Sequence, residues 1–198
     1  TQAPAMAMLK VEAALKQNTS YLILKYRAGN LIRQMPLTTA CLRHADSVNS
    51  IAFSPDGLAV ATASSDGTAR IWNARSGEPA TAPIKHGGAI WVAVFSQDGR
   101  SILTASEDST ARAWDVRTGA PLSPPLQHTA GVSYATFSSD GRFVATASRD
   151  NTARIWNAAT GKAVAPPLRH RDPVAHVAFS ADGRWIVTAS EDATARIW

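Results

Sequence analysis

The chain has 198 residues, 45% hydrophobic and 18% charged, enough for a sizeable core and too apolar for a disordered chain. No apolar run approaches a bilayer span, and no basic start, apolar stretch and small-residue cleavage site occur in order at the N-terminus, so neither a transmembrane helix nor a signal peptide is expected. The net charge of +5 lies wholly in residues 1–43, where Lys10, Lys16, Lys25, Arg27, Arg33 and Arg43 stand against Glu12; the remainder is balanced, so no nucleic-acid footprint is expected there.

Residues 1–35 read as a short helical segment or linker. Ala5–Lys16 places Met8, Val11 and Leu15 at helical spacing, and Asn18-Thr19-Ser20 offers a break with an N-cap. Tyr21–Gln34, followed by Met35, sets Leu24, Ala28, Leu31 and Met35 on one stripe; the alternative is a strand from Tyr21 to Leu24. The basic side chains read as a solvated helix face. Cys41 is the sole cysteine, which excludes an internal disulfide and fits a reducing, cytoplasmic setting; its expected place is a half-buried strand position.

From Pro36 onward the chain repeats every 42 residues. Thr62–Trp72 (TASSDGTARIW) returns as Thr104–Trp114, Thr146–Trp156 and Thr188–Trp198, within units of about 36–77, 78–119, 120–161 and 162–198. Each unit predicts a first strand (Val48–Ser54 and its equivalents) and an Asp-Gly turn suited to a tight hairpin. A second strand (about Leu58–Ser64), a turn holding Asp66, Asp108, Asp150 or Asp192, and a third strand ending on the Trp follow. A proline-rich fourth strand, suited to an outer edge, leads to His44, His86, His128 or His170.

Four short antiparallel strands per unit of this length make the blade of a β-propeller, so the fold class is all-β. The His opening each unit, the Phe-Ser-x-Asp-Gly turn and the Ser-x-Asp-x-Thr-x-x-x-Trp run resemble the WD-repeat (WD40) family over residues 36–198. The sequence departs from that pattern at Arg43, Lys85, Gln127 and Arg169, where a Gly usually precedes the His. It departs again at Asn73 and Asn157, where an Asp usually follows the Trp; Asp115 keeps it. The resemblance implies seven or eight blades as the usual number. The expectation is therefore a fragment of a larger protein, with a closed four-blade ring or a homodimer completing an eight-blade ring as alternatives. Pro36–Arg43 is a candidate strand to complete the blade that ends at Trp198.

His44, Ser64 and Asp66 could be taken for a hydrolase triad, but the set recurs as His86, Ser106, Asp108; His128, Ser148, Asp150; and His170, Ser190, Asp192. An active site needs one nucleophile and one cleft, so fourfold recurrence points to structure. The resemblance implies a buried network in each blade that joins Asp, His, a strand-two hydroxyl and Trp72, Trp114, Trp156 or Trp198. Thr62 and Ser64 lie on the same strand face, which leaves the choice of hydroxyl open. Neither close His or Cys pairs nor a Gly-rich phosphate loop occur, so no metal and no cofactor are expected.

Positions that differ between repeats are free for recognition. On one propeller face these are Ser65, Glu107, Arg149 and Glu191 before each turn Asp, with Trp91, Tyr134 and His176 early in the first strands. Aromatic and Arg side chains are typical interface anchors. The opposing readings are that Trp91 packs between blades and that Arg149 merely forms surface ion pairs. The function expected is a non-enzymatic scaffold that binds a protein partner, or a domain of its own chain, without nucleic acid or membrane. The helical segment loosely resembles the linker before the C-terminal propeller of large bacterial signalling NTPases. That makes a regulatory propeller of a larger NTPase, protease or kinase the alternative.

Overall fold

The computed structural model describes residues 40–198 and the backbone of two short strands before them. It divides into two compact units, Thr1–Arg43 and His44–Trp198, whereas the sequence places the boundary at residue 36. In the first unit β1 (Ala14–Leu15) pairs antiparallel with β2 (Ser20–Tyr21), so the end of the expected first helix and the start of the second are extended. The rest of the two expected helices lies outside the described residues. Cys41 is half-buried, as expected, but belongs to no strand.

The second unit is four successive antiparallel sheets. Blade one holds β3 (Val48–Phe53), β4 (Ala59–Ser64), β5 (Thr68–Asn73) and β6 (Ile84–Lys85), hydrogen-bonded in that order. Blade two repeats this as β7 (Ile90–Phe95), β8 (Ser101–Ser106), β9 (Thr110–Asp115) and β10 (Leu126–Gln127). Blade three holds β11 (Val132–Phe137), β12 (Phe143–Ser148), β13 (Thr152–Asn157) and β14 (Leu168–Arg169). Blade four holds β15 (Val174–Phe179), β16 (Ile186–Ser190) and β17 (Ala195–Ile197). Its sheet has three strands; Ala40–Arg43 carries no strand, and the rest of Pro36–Arg43 lies outside the described residues. The prolines reduce each expected fourth strand to a two-residue ladder and one isolated bridge, such as Trp72 to Pro79, because a residue without an N–H cannot extend the ladder.

Local chemistry fixes each hairpin. The Ser54 hydroxyl donates to Asp56 Oδ1 at 2.5 Å, and the same oxygen accepts the Leu58 N–H at 2.9 Å. Ser96, Ser138 and Ser180 make the same bond with Asp98, Asp140 and Asp182. In the second turn Gly67 has φ of 77°. Its counterparts Ser109, Asn151 and Ala193 hold φ of 70°, 65° and 63°, so three of the four turns keep a left-handed conformation with a side chain attached.

Blades pack through unlike faces. Ala61, Ala63, Ala69 and Ile71 of blade one meet Ile90, Ala93, Ile102 and Trp114 of blade two. The next junction sets Leu103, Ala105, Ala111 and Ala113 against Val132, Ala135, Val144 and Trp156, and the third sets Ala145, Ala147, Ala153 and Ile155 against Val174 and Val177. Small residues on the trailing face let the branched and indole side chains of the following blade's leading face close onto the sheet.

Candidate functional site

Each first strand carries a bulge at the same place. The ladder skips Asn49, Trp91, Ser133 and Ala175, which lie outside regular pairing. A bulge re-aims the extra side chain, and in blade two that residue is an indole. The turn residue before each Asp is tied to the same corner: Glu107 N donates to Ala89 O, Arg149 N to Gly131 O, and Glu191 N to Pro173 O, each at 2.9 Å.

These corners bring Trp91, Glu107 and Arg149 together across blades two and three. The Trp91 indole N–H donates to Glu107 Oε2 at 2.8 Å, and Arg149 donates to the other carboxylate oxygen at 2.8 Å. The Arg149 guanidinium lies 5.6 Å from the Trp91 ring centroid, in cation–π range. Both carboxylate oxygens are thus engaged, and the plane of Trp91 is held from the next blade. Gly131 makes room for this: a Cβ there would stand 2.9 Å from Glu107 Oε2. Trp91 also packs against the core between blades two and three, so its two opposing readings describe one side chain with a packed side and an open side. Arg149 and Glu107 form an ion pair at 50% and 39% side-chain exposure, which orients more than it stabilises.

Beside the triad lies a cavity of about 490 Å³ lined by Asn49, Trp91, Ser133, Arg149, Ala175 and Glu191. Of the residues expected on this face, Trp91, Arg149 and Glu191 line it and Glu107 braces it. Tyr134 and His176 instead stack on each other, with ring centroids 3.8 Å apart, and burial holds the His176 imidazole below its ordinary pKa. Ser65 is bonded to Asn49, whose amide also donates to Ile90 O. Asn49 and Ser133 are among the early strand-one residues that vary between repeats; Gly131 escaped the sequence reading. Asn49 and Ser133 align with Trp91 at the repeat period, whereas nothing in the sequence marked Gly131. A larger cavity of about 640 Å³ lies among hairpin-turn residues, including Asp98 and Asp140, whose side chains already close their own turns.

The repeated network is wired differently from a hydrolase triad. Trp72 Nε1–H donates to Thr62 Oγ1 at 2.8 Å, the hydroxyl donates to His44 Nε2 at 2.6 Å, and His44 Nδ1–H donates to Asp66 Oδ2 at 3.1 Å. Thr104, Thr146 and Thr188 do the same in the other blades. The bridging hydroxyl is therefore the Thr. Ser64, Ser106, Ser148 and Ser190 stay off the imidazole; each accepts the turn Asp N–H at 3.1 Å and donates to a loop carbonyl. The strand-two ladder explains the choice: Thr62 lies opposite Arg70, two residues from the Trp, while Ser64 sits at the turn. These Thr side chains are 0–2% exposed, with proton and lone pair both engaged, so no substrate reaches them.

The electrostatics suit a fastening. Burial pushes the Asp108 carboxyl up, but the Thr110 hydroxyl, the Gly87 N–H and His86 together outweigh it and hold the pKa at about 2. Asp150 is held at about 2 against the same burial by Thr152, His128 and the Thr129 N–H. Burial lowers His44, His86 and His128, with the neighbouring Asp opposing, so these rings stay neutral at pH 7 and keep Nε2 as an acceptor. Sequence reading also missed Arg70, Arg112, Arg154 and Arg196, whose guanidinium groups lie 5.2–6.0 Å from the centroid of the Trp two residues on. Their fourfold recurrence was the available signal.

Antiparallel sheets of four strands, or three in blade four, stacked face to face and each fastened by the same Trp–Thr–His–Asp relay, define a repeat protein built of β-propeller blades. The WD40 family profile, described as "WD domain, G-beta repeat", matches residues 36–73, 78–115, 121–157 and 166–198. The chain belongs to the WD40 repeat family. Among solved structures, the computationally designed Ika4 protein is similar in fold, with a TM-score of 0.71 at 22% identity over 79% of this chain and 92% of that one. Among curated proteins, none matches the chain significantly. WD40 repeats generally mediate protein–protein interaction, and the family is generally non-catalytic.

Proposed function

We propose that the chain is a non-enzymatic platform that binds a protein partner, or another domain of its own chain, at the face bearing Trp91, Glu107, Arg149 and Glu191. The observation that carries this is the Trp91–Glu107–Arg149 triad beside the 490 Å³ cavity. Its parts come from two blades and are held before any partner arrives, so binding orders little. An indole and a half-exposed guanidinium are the side chains most often found as interface anchors. Tyr134 and His176 form a second, stacked element on the first strands of blades three and four. Catalysis in the repeats is disfavoured because the hydroxyls bonded to imidazole Nε2, those of Thr62, Thr104, Thr146 and Thr188, are sealed.

The test is partner capture by the wild-type chain beside Trp91→Ala and Arg149→Glu, each checked for an unchanged thermal melt. Loss of a partner retained by wild type is expected in both variants. Undiminished capture by both moves the interface elsewhere.

A further inference from the structure

The three junctions between blades differ at the end where the Asp-Gly hairpins lie. At the first, Ile71 and Val116 pack into one cluster with Phe95. Pro55 closes the gap beside them: a Cβ added to Gly99 would stand 3.4 Å from Pro55 Cδ. At the third, Ile155 packs with Phe179, and the Ser139 hydroxyl ties the hairpins by donating to Ala181 O at 3.1 Å. The second junction departs at all of these places. Ala113 and Ala158 stand where the period puts Ile71 and Val116, and Gln97 stands where it puts Pro55 and Ser139. A Cβ at Gly141 would meet nothing within 4 Å. Three departures from the repeat thus fall on one junction, and they open the cavity of about 640 Å³.

Buried Ala113 and half-buried Phe137 and Ala158 make an apolar floor, and Leu122, 47% exposed, stands at its side. Asp98 and Asp140, both exposed, line the rim. Each commits Oδ1 to its own turn, accepting the Ser96 or Ser138 hydroxyl and the N–H of Arg100 or Arg142. These bonds leave Oδ2 of each carboxylate open. The Ser hydroxyls hold both carboxyls below their ordinary pKa, so both are charged at neutral pH. Arg100 and Arg142 are exposed and stand outside the lining, and Arg142 lies over the Phe143 ring at 5.8 Å. The lining therefore carries two negative charges and no positive one.

We propose that this junction receives a peptide segment of a partner protein, with an apolar side chain seated on Ala113 and Phe137 and an adjacent Lys or Arg set against Asp98 and Asp140. A junction that needed packing alone would carry Ile and Val on its floor, as the first one does, because methyl groups missing from a core cost stability. The volume lies within the roughly 300–1,000 Å³ of ligand pockets. The paired carboxylates over an apolar floor select a cation with an apolar neighbour. The Phe95 end of β7 carries this site, whereas Trp91 belongs to the Ile90 end, so the two sites are tested separately. Both walls belong to blades that have another blade on either side, so what adjoins blades one and four does not alter them.

The test is a titration of the 198-residue chain, followed by amide nitrogen–proton NMR, with the acetylated and amidated peptide Gly-Leu-Lys-Gly at millimolar concentration. Gly-Leu-Glu-Gly is the control. The Lys peptide is expected to shift the amides of Gln97, Ser139 and Gly141 saturably, and the Glu peptide to leave them in place. Ala113→Ile restores the side chain of the other blades; it should raise the melting temperature and abolish the shifts. Asp98→Asn with Asp140→Asn keeps an acceptor in each turn and should abolish the preference for the Lys peptide. No shift at these amides with the Lys peptide overturns the proposal. Equal shifts with both peptides overturn it in favour of an uncharged apolar occupant. Saturable shifts that survive Ala113→Ile overturn the cavity as the seat.

Discussion

At the residue scale, the chain's stability turns on hydroxyls that cannot be told apart by composition. Thr104 serves Trp114 and His86 at once, while Ser106 closes a turn. Thr104→Val should therefore cost about 1–3 kcal/mol, because it leaves a buried indole N–H and an imidazole nitrogen unpaired. Ser106→Ala should cost about 0.5–1.5 kcal/mol. Asp108→Ala belongs with the larger group, at about 1–3 kcal/mol, since it strips His86, Thr110 and the Gly87 N–H of their acceptor. Denaturant midpoints of the three variants rank them, and equal losses for Thr104→Val and Ser106→Ala would contradict the relay. The same groups set a pH dependence. His86 and His128 have folded pKa values below the ordinary 6.5, so the unfolded chain takes up protons first. Their contribution is complete above pH of about 6.5 and declines as pH falls. Asp108 and Asp150, at about 2 when folded, lose their contribution as pH falls from about 4 to about 2. The melting temperature should drop from pH 8 to pH 5 and again toward pH 3; a flat profile would contradict the assigned neutral imidazoles.

At the element scale, the second turn of each blade tests how far the repeat constrains its own sequence. Gly67, Ser109, Asn151 and Ala193 occupy the same left-handed position, and only the first is free of a Cβ. Alanine there costs about 1–2 kcal/mol relative to a right-handed residue, partly offset by the greater freedom glycine gives the unfolded chain. Ala193→Gly should raise stability by somewhat under about 1 kcal/mol, and Gly67→Ala should lower it by a similar amount. The Cβ at position 67 would meet only ordinary contacts of 3.4 Å and more, so any loss there reads backbone conformation and not crowding. Thermal melts of the pair decide the point. The fourth strand shows the reverse case: prolines visible in the sequence shorten it in every complete blade.

At the scale of the whole molecule, burial is uniform over three blades and drops at the fourth. Strand two is buried at five of six positions in blades one, two and three, and at one of five in blade four. Repeat architectures stabilise each unit through its neighbours, so an end blade opens at lower cost than an inner one. Amides of β16 and β17 should exchange faster than those of β8 and β9. Uniform protection across the four blades would argue against this difference. Leu103→Ala, at 0% exposure, should cost about 2–5 kcal/mol, and Val187→Ala, at 42%, far less.

The repeat itself was legible from residues alone. Strand order and turn positions follow from a 42-residue period, because each blade is a local antiparallel meander whose signals lie within one unit, and the resemblance to the WD-repeat family implied the His, Asp and Trp partners. The tertiary structure decided what depends on direction and on neighbours. Which hydroxyl meets the imidazole depends on which of Thr62 and Ser64 lies nearer the Trp across the ladder, and a two-residue period places both on the same face. The meeting of Trp91 with Arg149 depends on a strand-one bulge and on the next blade standing alongside, neither of which leaves a mark in a single repeat. The bare faces of blades one and four have apolar sequences like those of the sealed junctions. Burial separates them, since it belongs to the neighbour as much as to the residue.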